Sequence, residues 1–160
     1  MLQTISVADI KISSDPEDVL ITHALGSCLG ITIYDFKKKV GGMLHCMLPD
    51  STIDRNKAQK NPAMFVDSGM KLLLGELLKT GSEKKHLVIK AVGGSSSKIK
   101  EEDDFFQIGR RNFVSLRKFL WENGLLLKAH DIGGFGSRTV SLRIDDGEVI
   151  VKINGTMNRL

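Results

Sequence analysis

Apolar and polar residues alternate near the start of the chain: Ile5, Val7, Ile10 and Ile12 are separated by Ser6, Asp9 and Lys11. A period of two marks a strand with one buried face. Residues 3–12 and 18–23 are therefore read as strands, split by the turn sequence SSDPED around Pro16. Residues 28–35 form a denser run, with Ile31, Thr32, Ile33 and Tyr34 in succession, and residues 40–48 return as a second strand that Pro49 ends. A polar loop, DSTIDRNKAQK, follows. The period then changes. Val66, Met70, Leu73 and Leu77 recur at helical spacing, which predicts a helix with Asn61 as N-cap, Pro62 as its first residue and Thr80-Gly81 at its end. HLVIKAV (86–92) reads as a short buried strand, and GGSSSKIKEEDD as a flexible loop. A second helix covers 108–122, with Phe113, Leu116 and Leu120 as its core stripe and Asn123-Gly124 as its stop. A strand at 125–132 and a hairpin of 138–144 with 148–153 around Asp145-Asp146-Gly147 complete the chain. This order predicts an α+β domain, two main helices packed on a mixed or antiparallel sheet, with room for a second sheet behind.

Composition narrows the class. With 160 residues, 41% of them hydrophobic and 26% charged, residues 1–160 are expected to form one globular domain with its own core. No 18-residue apolar run suggests a membrane span, and the first residues lack the pattern of a signal peptide. Two cysteines in such a chain point to the reducing cytoplasm rather than a disulfide scaffold. The net charge of +4 is dispersed over Lys37–Lys39, Lys84-Lys85 and Arg110-Arg111. That reads as solvated surface. It suits an acidic protein partner, but no zinc-finger spacing or aromatic RNA-binding motif argues for nucleic acid.

The chemistry centres on Cys28. Centring the first hairpin on Phe36-Lys37 pairs Tyr34 with Lys39, Ile33 with Val40 and Cys28 with His45. Opposed Cβ atoms in an antiparallel pair lie about 4.5–5.5 Å apart, within reach for a thiol and an imidazole. Cys46, the next residue after His45, must point to the other face and is read as core. Gly26 and Ser27 leave backbone N–H groups accessible beside Cys28, where they suit an oxyanion. Thr22 is a candidate to orient the imidazole by accepting from its ring N–H. The competing readings are a structural cysteine at a strand end, a threonine that is only a β-former, and His23 as a rival base. His86 and His130 read as surface or strand-edge residues. No His/Cys/Asp cluster has metal-ligand spacing, and Gly93-Gly94 lacks the ending of a P-loop, so neither a metal nor an organic cofactor is expected.

Taken jointly, Thr22 with ALGSC (24–28), GGMLHCMLP (41–49), KAVGGSSS (90–97), IGRRN (108–112) and DIGG (131–134) resemble the CheD family of chemoreceptor glutamine deamidases over nearly the whole length. The chain departs from the family pattern at His23, Ala24 and the serines from Ser95 onward. The resemblance implies an α/β/β layered sandwich reminiscent of papain-like hydrolases. It implies Cys28 as nucleophile, His45 as general base and acid, and Thr22 as the orienting residue. It further implies a cytoplasmic enzyme acting on receptor glutamines, with a CheC-type phosphatase as a second partner. A protein that chiefly docks on and stimulates such a phosphatase is the alternative.

Overall fold

The run Leu29–Asp35 carries no polar face because neither of its faces meets water: all seven residues are buried, as are all seven of Val40–Cys46. A computed structural model describes all 160 residues. Its strands are β1 (Leu2–Thr4), β2 (Asp9–Ser13), β3 (Val19–Leu25), β4 (Leu29–Asp35), β5 (Val40–Cys46), β6 (Leu87–Gly93), β7 (Leu127–Ile132), β8 (Arg138–Arg143), β9 (Val149–Ile153) and β10 (Thr156–Arg159). Its helices are α1 (Arg55–Lys60), α2 (Val66–Lys79) and α3 (Ile108–Glu122). One sheet has the order β2-β5-β4-β6-β7 and the other β1-β3-β8-β9-β10. The β1–β3 and β6–β7 pairs are parallel, and the remaining pairs are antiparallel.

Two cores follow from this arrangement. On one face of the first sheet, Leu29, Ile31, Leu44, Cys46 and Ile89 pack against Val66, Met70, Leu73 and Leu77 of α2 and Leu116 and Leu120 of α3. On its other face, Met43 and Val92 meet Leu20, Leu25, Val140, Leu142 and Val151 of the second sheet. Each fully buried Leu, Ile or Val contributes about 1.5–3 kcal/mol of transfer free energy, so both interfaces hold the layers together. The result is the α/β/β sandwich, with the central sheet covered on both sides. No helix is long and apolar enough to cross a membrane.

Several elements differ from the sequence reading. Residues 3–12 are not one strand. The chain leaves β1 in one sheet, turns at Ala8 with φ 57° and enters β2 in the other. The alternation persists because Ile5, just after β1, is buried between the sheets, whereas Ile10 and Ile12 of β2 pack against the core under the helices. The polar loop contains α1, capped by Asp54, whose carboxylate accepts from Lys57 N–H at 3.1 Å. The Asn61 side chain caps no helix: its amide donates to Ala8 O at 3.0 Å, its backbone N–H closes the end of α1 on Lys57 O, Pro62–Met64 make a single 3-10 turn, and α2 begins after Phe65. The extra strand β10 follows Asn154-Gly155, both with positive φ (51° and 76°), the dipeptide and geometry of a tight hairpin turn.

Candidate active site

The β4–β5 hairpin carries the imidazole, and the thiol stands one residue before its first strand. Its turn is two residues further along the chain, in sum of paired positions, than a centre at Phe36-Lys37 requires. Asp35 pairs with Val40, and Asp35 Oδ1 accepts from Lys37 and Lys38 N–H at 2.8 and 3.0 Å, so the loop centres on Lys37-Lys38. His45 therefore stands opposite Gly30, not Cys28. The correction is an even number of residues and so keeps the face. Cys28 becomes the diagonal neighbour of His45, a spacing of about 7–8 Å between Cα atoms that longer side chains still bridge. Cys28 is half-buried and packs against the core between the sheets, while Cys46 lies wholly in the core under the helices.

Thr22 reaches the imidazole from the other sheet. Its Oγ1 lies 2.7 Å from His45 Nδ1 and donates to Ile5 O at 2.8 Å. A hydroxyl has one proton to donate, and a carbonyl can only accept. The proton therefore lies on the Ile5 side, and Nδ1 must be the donor in its contact with Thr22. That fixes the neutral tautomer of His45, with the proton on Nδ1 and a lone pair on Nε2. Nε2 is buried and has no hydrogen-bond partner. Gly30 makes the approach possible: a Cβ there would lie 2.8 Å from both Leu25 Cδ1 and Val140 Cγ1, and 3.4 Å from Thr22 Cγ2. His23, next along β3, is exposed and lies 3.4 Å from Thr139 Oγ1. It points away from the pair.

The turn before Cys28 is held by three consecutive carbonyls. Gly26 O accepts from Ser95 N–H and Cys28 O from Gly94 N–H, both at 2.9 Å. Ser27 O accepts from Asn112 Nδ2 at 2.9 Å. Gly26 N–H is engaged with Ala24 O at 3.1 Å, whereas Ser27 and Cys28 N–H meet no acceptor on another residue. Both the carbonyl and the N–H of Gly26 are thus engaged within the chain. The Gly93–Ser95 stretch, expected as the start of a flexible loop, is buried and forms the rigid back of this turn. Gly93 has φ 115°, and a Cβ on it would lie 2.2 Å from Cys28 O, so only glycine fits. Neither the work of Gly93 nor that of Asn112 is legible in the sequence as such. The signal for Asn112 was an amide in the apolar stripe of α3, between Gly109 and Leu116.

Burial sets the electrostatics. It pushes the Cys28 thiol up from its ordinary value of 9.0 and the His45 imidazole down from 6.5. Burial thus disfavours the charged form of each group, the thiolate of Cys28 and the imidazolium of His45.

Comparisons with known proteins agree with one another. The family described as CheD chemotactic sensory transduction matches residues 47–153. A relative from Syntrophus aciditrophicus, named probable chemoreceptor glutamine deamidase CheD 1, is 44% identical over 94% of this chain and 93% of its own. One from Solibacter usitatus, named probable chemoreceptor glutamine deamidase CheD, is 44% identical over 98% of this chain and 91% of its own. A third of that name, from Pyrococcus abyssi, is 42% identical over 83% of this chain and 80% of its own. With the family match spanning most of the chain and relatives aligned along nearly all of it, this chain belongs to the CheD family.

Proposed function

We propose that this chain is a cytoplasmic protein-glutamine deamidase that converts glutamine side chains on the cytoplasmic part of chemoreceptors to glutamate. The printed names of its relatives support the substrate. The observation that carries the mechanism is the single proton of Thr22, which commits His45 Nδ1 to donate and leaves Nε2 as an unpartnered base on the face of the hairpin that bears Cys28.

The steps follow from that arrangement. Cys28 Sγ attacks the side-chain amide carbon of the substrate glutamine while its proton passes to His45 Nε2. The carbonyl π electrons move to oxygen, and the N–H groups of Ser27 and Cys28 receive the oxyanion. The oxyanion collapses, the C–N bond breaks, and Nε2 returns its proton to the leaving nitrogen, so ammonia departs and a thioester remains. His45 then takes a proton from water as the water oxygen attacks the thioester. The C–S bond breaks, Cys28 regains its proton, and the product is glutamate. Thr22 keeps the ring aligned through both halves and steadies the imidazolium, less than a carboxylate would because it is neutral. Each conversion adds a negative charge to a receptor, a change suited to shift a signalling equilibrium.

The test uses the chain with the cytoplasmic fragment of a receptor from the same cell. Ammonia release should match the gain of glutamate, with the fragment left intact. Cleavage of the fragment, or no ammonia from a cognate receptor, would overturn the proposal. The alternative, a module whose only role is to dock on a CheC-type phosphatase, predicts stimulation of that phosphatase with no ammonia release at all.

A further inference from the structure

Asn112 has no exposed surface and shares the sheet-facing stripe of α3 with Leu116 and Leu120. Burying an amide is costly unless it is hydrogen-bonded, so its partners explain its presence. Both hydrogens of Nδ2 are engaged, one with Ser27 O at 2.9 Å and the other with Met47 O at 3.0 Å. These carbonyls flank the two reactive side chains in sequence: Ser27 precedes Cys28, and Met47 follows His45-Cys46. Oδ1 is buried and unpartnered. The side chain is held there for its donors.

The peptide plane supplies the consequence. In a trans peptide the C=O and N–H point in opposite directions, and every peptide bond here is trans. Ser27 C=O and Cys28 N–H share one plane. By drawing Ser27 O toward itself, Asn112 turns Cys28 N–H the opposite way, toward its own side chain and away from any other residue's acceptor. The preceding plane is set by backbone alone, since Gly26 O is held by Ser95 N–H and Ser27 N–H is left free. We infer that Asn112 is a positioning residue that aims the Cys28 N–H at the oxyanion. This rests on the deamidase reading and adds to it a residue that never touches substrate. An aspartate at this position would set carboxylate oxygens against two carbonyl oxygens, so the amide is required.

The experiment separates aim from folding. Wild type, Asn112→Ala and Ser115→Ala are compared by steady-state deamidation of a cognate receptor fragment, by iodoacetamide alkylation of Cys28, and by thermal unfolding. Alkylation is a displacement at a saturated carbon and forms no oxyanion, so it reads the thiol and base alone. Asn112→Ala should lower kcat by roughly tenfold or more, short of the 10²–10³ that removal of an oxyanion donor costs, with KM and the alkylation rate unchanged. Ser115→Ala removes another tether of α3, from Ser115 Oγ to Pro49 O at 2.6 Å, and should leave kcat at the wild-type value. If Asn112→Ala does not fold, Asn112→Ser, whose hydroxyl is one bond short of the Nδ2 position yet keeps a polar group there, carries the same comparison. A wild-type kcat in the Asn112 variant, or alkylation falling in proportion to kcat, would overturn the inference while the deamidase reading stands. A wild type that releases no ammonia would overturn both.

Discussion

At the scale of single residues, the site depends on where one proton lies. Thr22 donates to Ile5 O, so His45 Nδ1 donates to Thr22. Thr22→Val keeps the shape and removes the acceptor. Its kcat should fall on the order of tenfold to a hundredfold, a share of the 10²–10⁴ that acid–base catalysis supplies, while the Cys28 side chain stays in place. Burial predicts the pH behaviour. The Cys28 thiol lies above 9.0 and the His45 imidazole below 6.5. Alkylation of Cys28 should therefore rise with pH through neutrality and past 9.0, and deamidation should fall on the acid side only below 6.5, as His45 takes up a proton. Alkylation already at its plateau in mild acid would mean a resting thiolate–imidazolium pair and contradict this. Thr22, Cys28 and His45 were legible as candidates because residue type and the face of a strand are local properties. The work of Asn112 was not, because its acceptors Ser27 and Met47 are far from it in sequence.

At the scale of elements, two glycines set the geometry. Gly30 lets the second sheet close onto the His45 strand, and Gly93 lets β6 pass behind Cys28. Gly30→Ala should cost about 1–3 kcal/mol by overpacking, since the Leu25 and Val140 methyls it meets are buried. Gly93→Ala should cost more, because it meets backbone and carries a positive φ. Urea unfolding of both variants checks the ranking. The hairpin shows where sequence reasoning reached its limit. Side-chain alternation fixed which face His45 occupies, but the register depended on the Asp35 carboxylate gathering Lys37 and Lys38 N–H, a contact that strand periodicity does not encode. Asn61 misled for a similar reason: a capping residue before a proline is a local signal, and its amide was taken by Ala8 O from a distant turn.

At the scale of the whole molecule, the site exists only where the two sheets meet. Cys28 and His45 belong to one sheet and its entrance, Thr22 to the other, and Asn112 to the helical layer. Arg138 of β8 stitches the layers behind the site, donating to Ser95 Oγ and Gly133 O at 2.8 Å. Arg138→Met should destabilise the fold by roughly 1–3 kcal/mol, the cost of leaving such buried groups unpaired, as a lower melting temperature would register. The layer order was legible from the succession of periods, two, then helical, then two again, and from the family resemblance. The split of residues 3–12 between sheets was not, because both pieces alternate alike. The central claim is that Cys28, and not Cys46, performs the chemistry. Its most direct test is mass spectrometry of a cognate receptor fragment after incubation with wild type, Cys46→Ala and Cys28→Ala. Conversion of glutamine to glutamate by wild type and Cys46→Ala, with none by Cys28→Ala, is the predicted result, and conversion by Cys28→Ala at the wild-type rate would contradict the account.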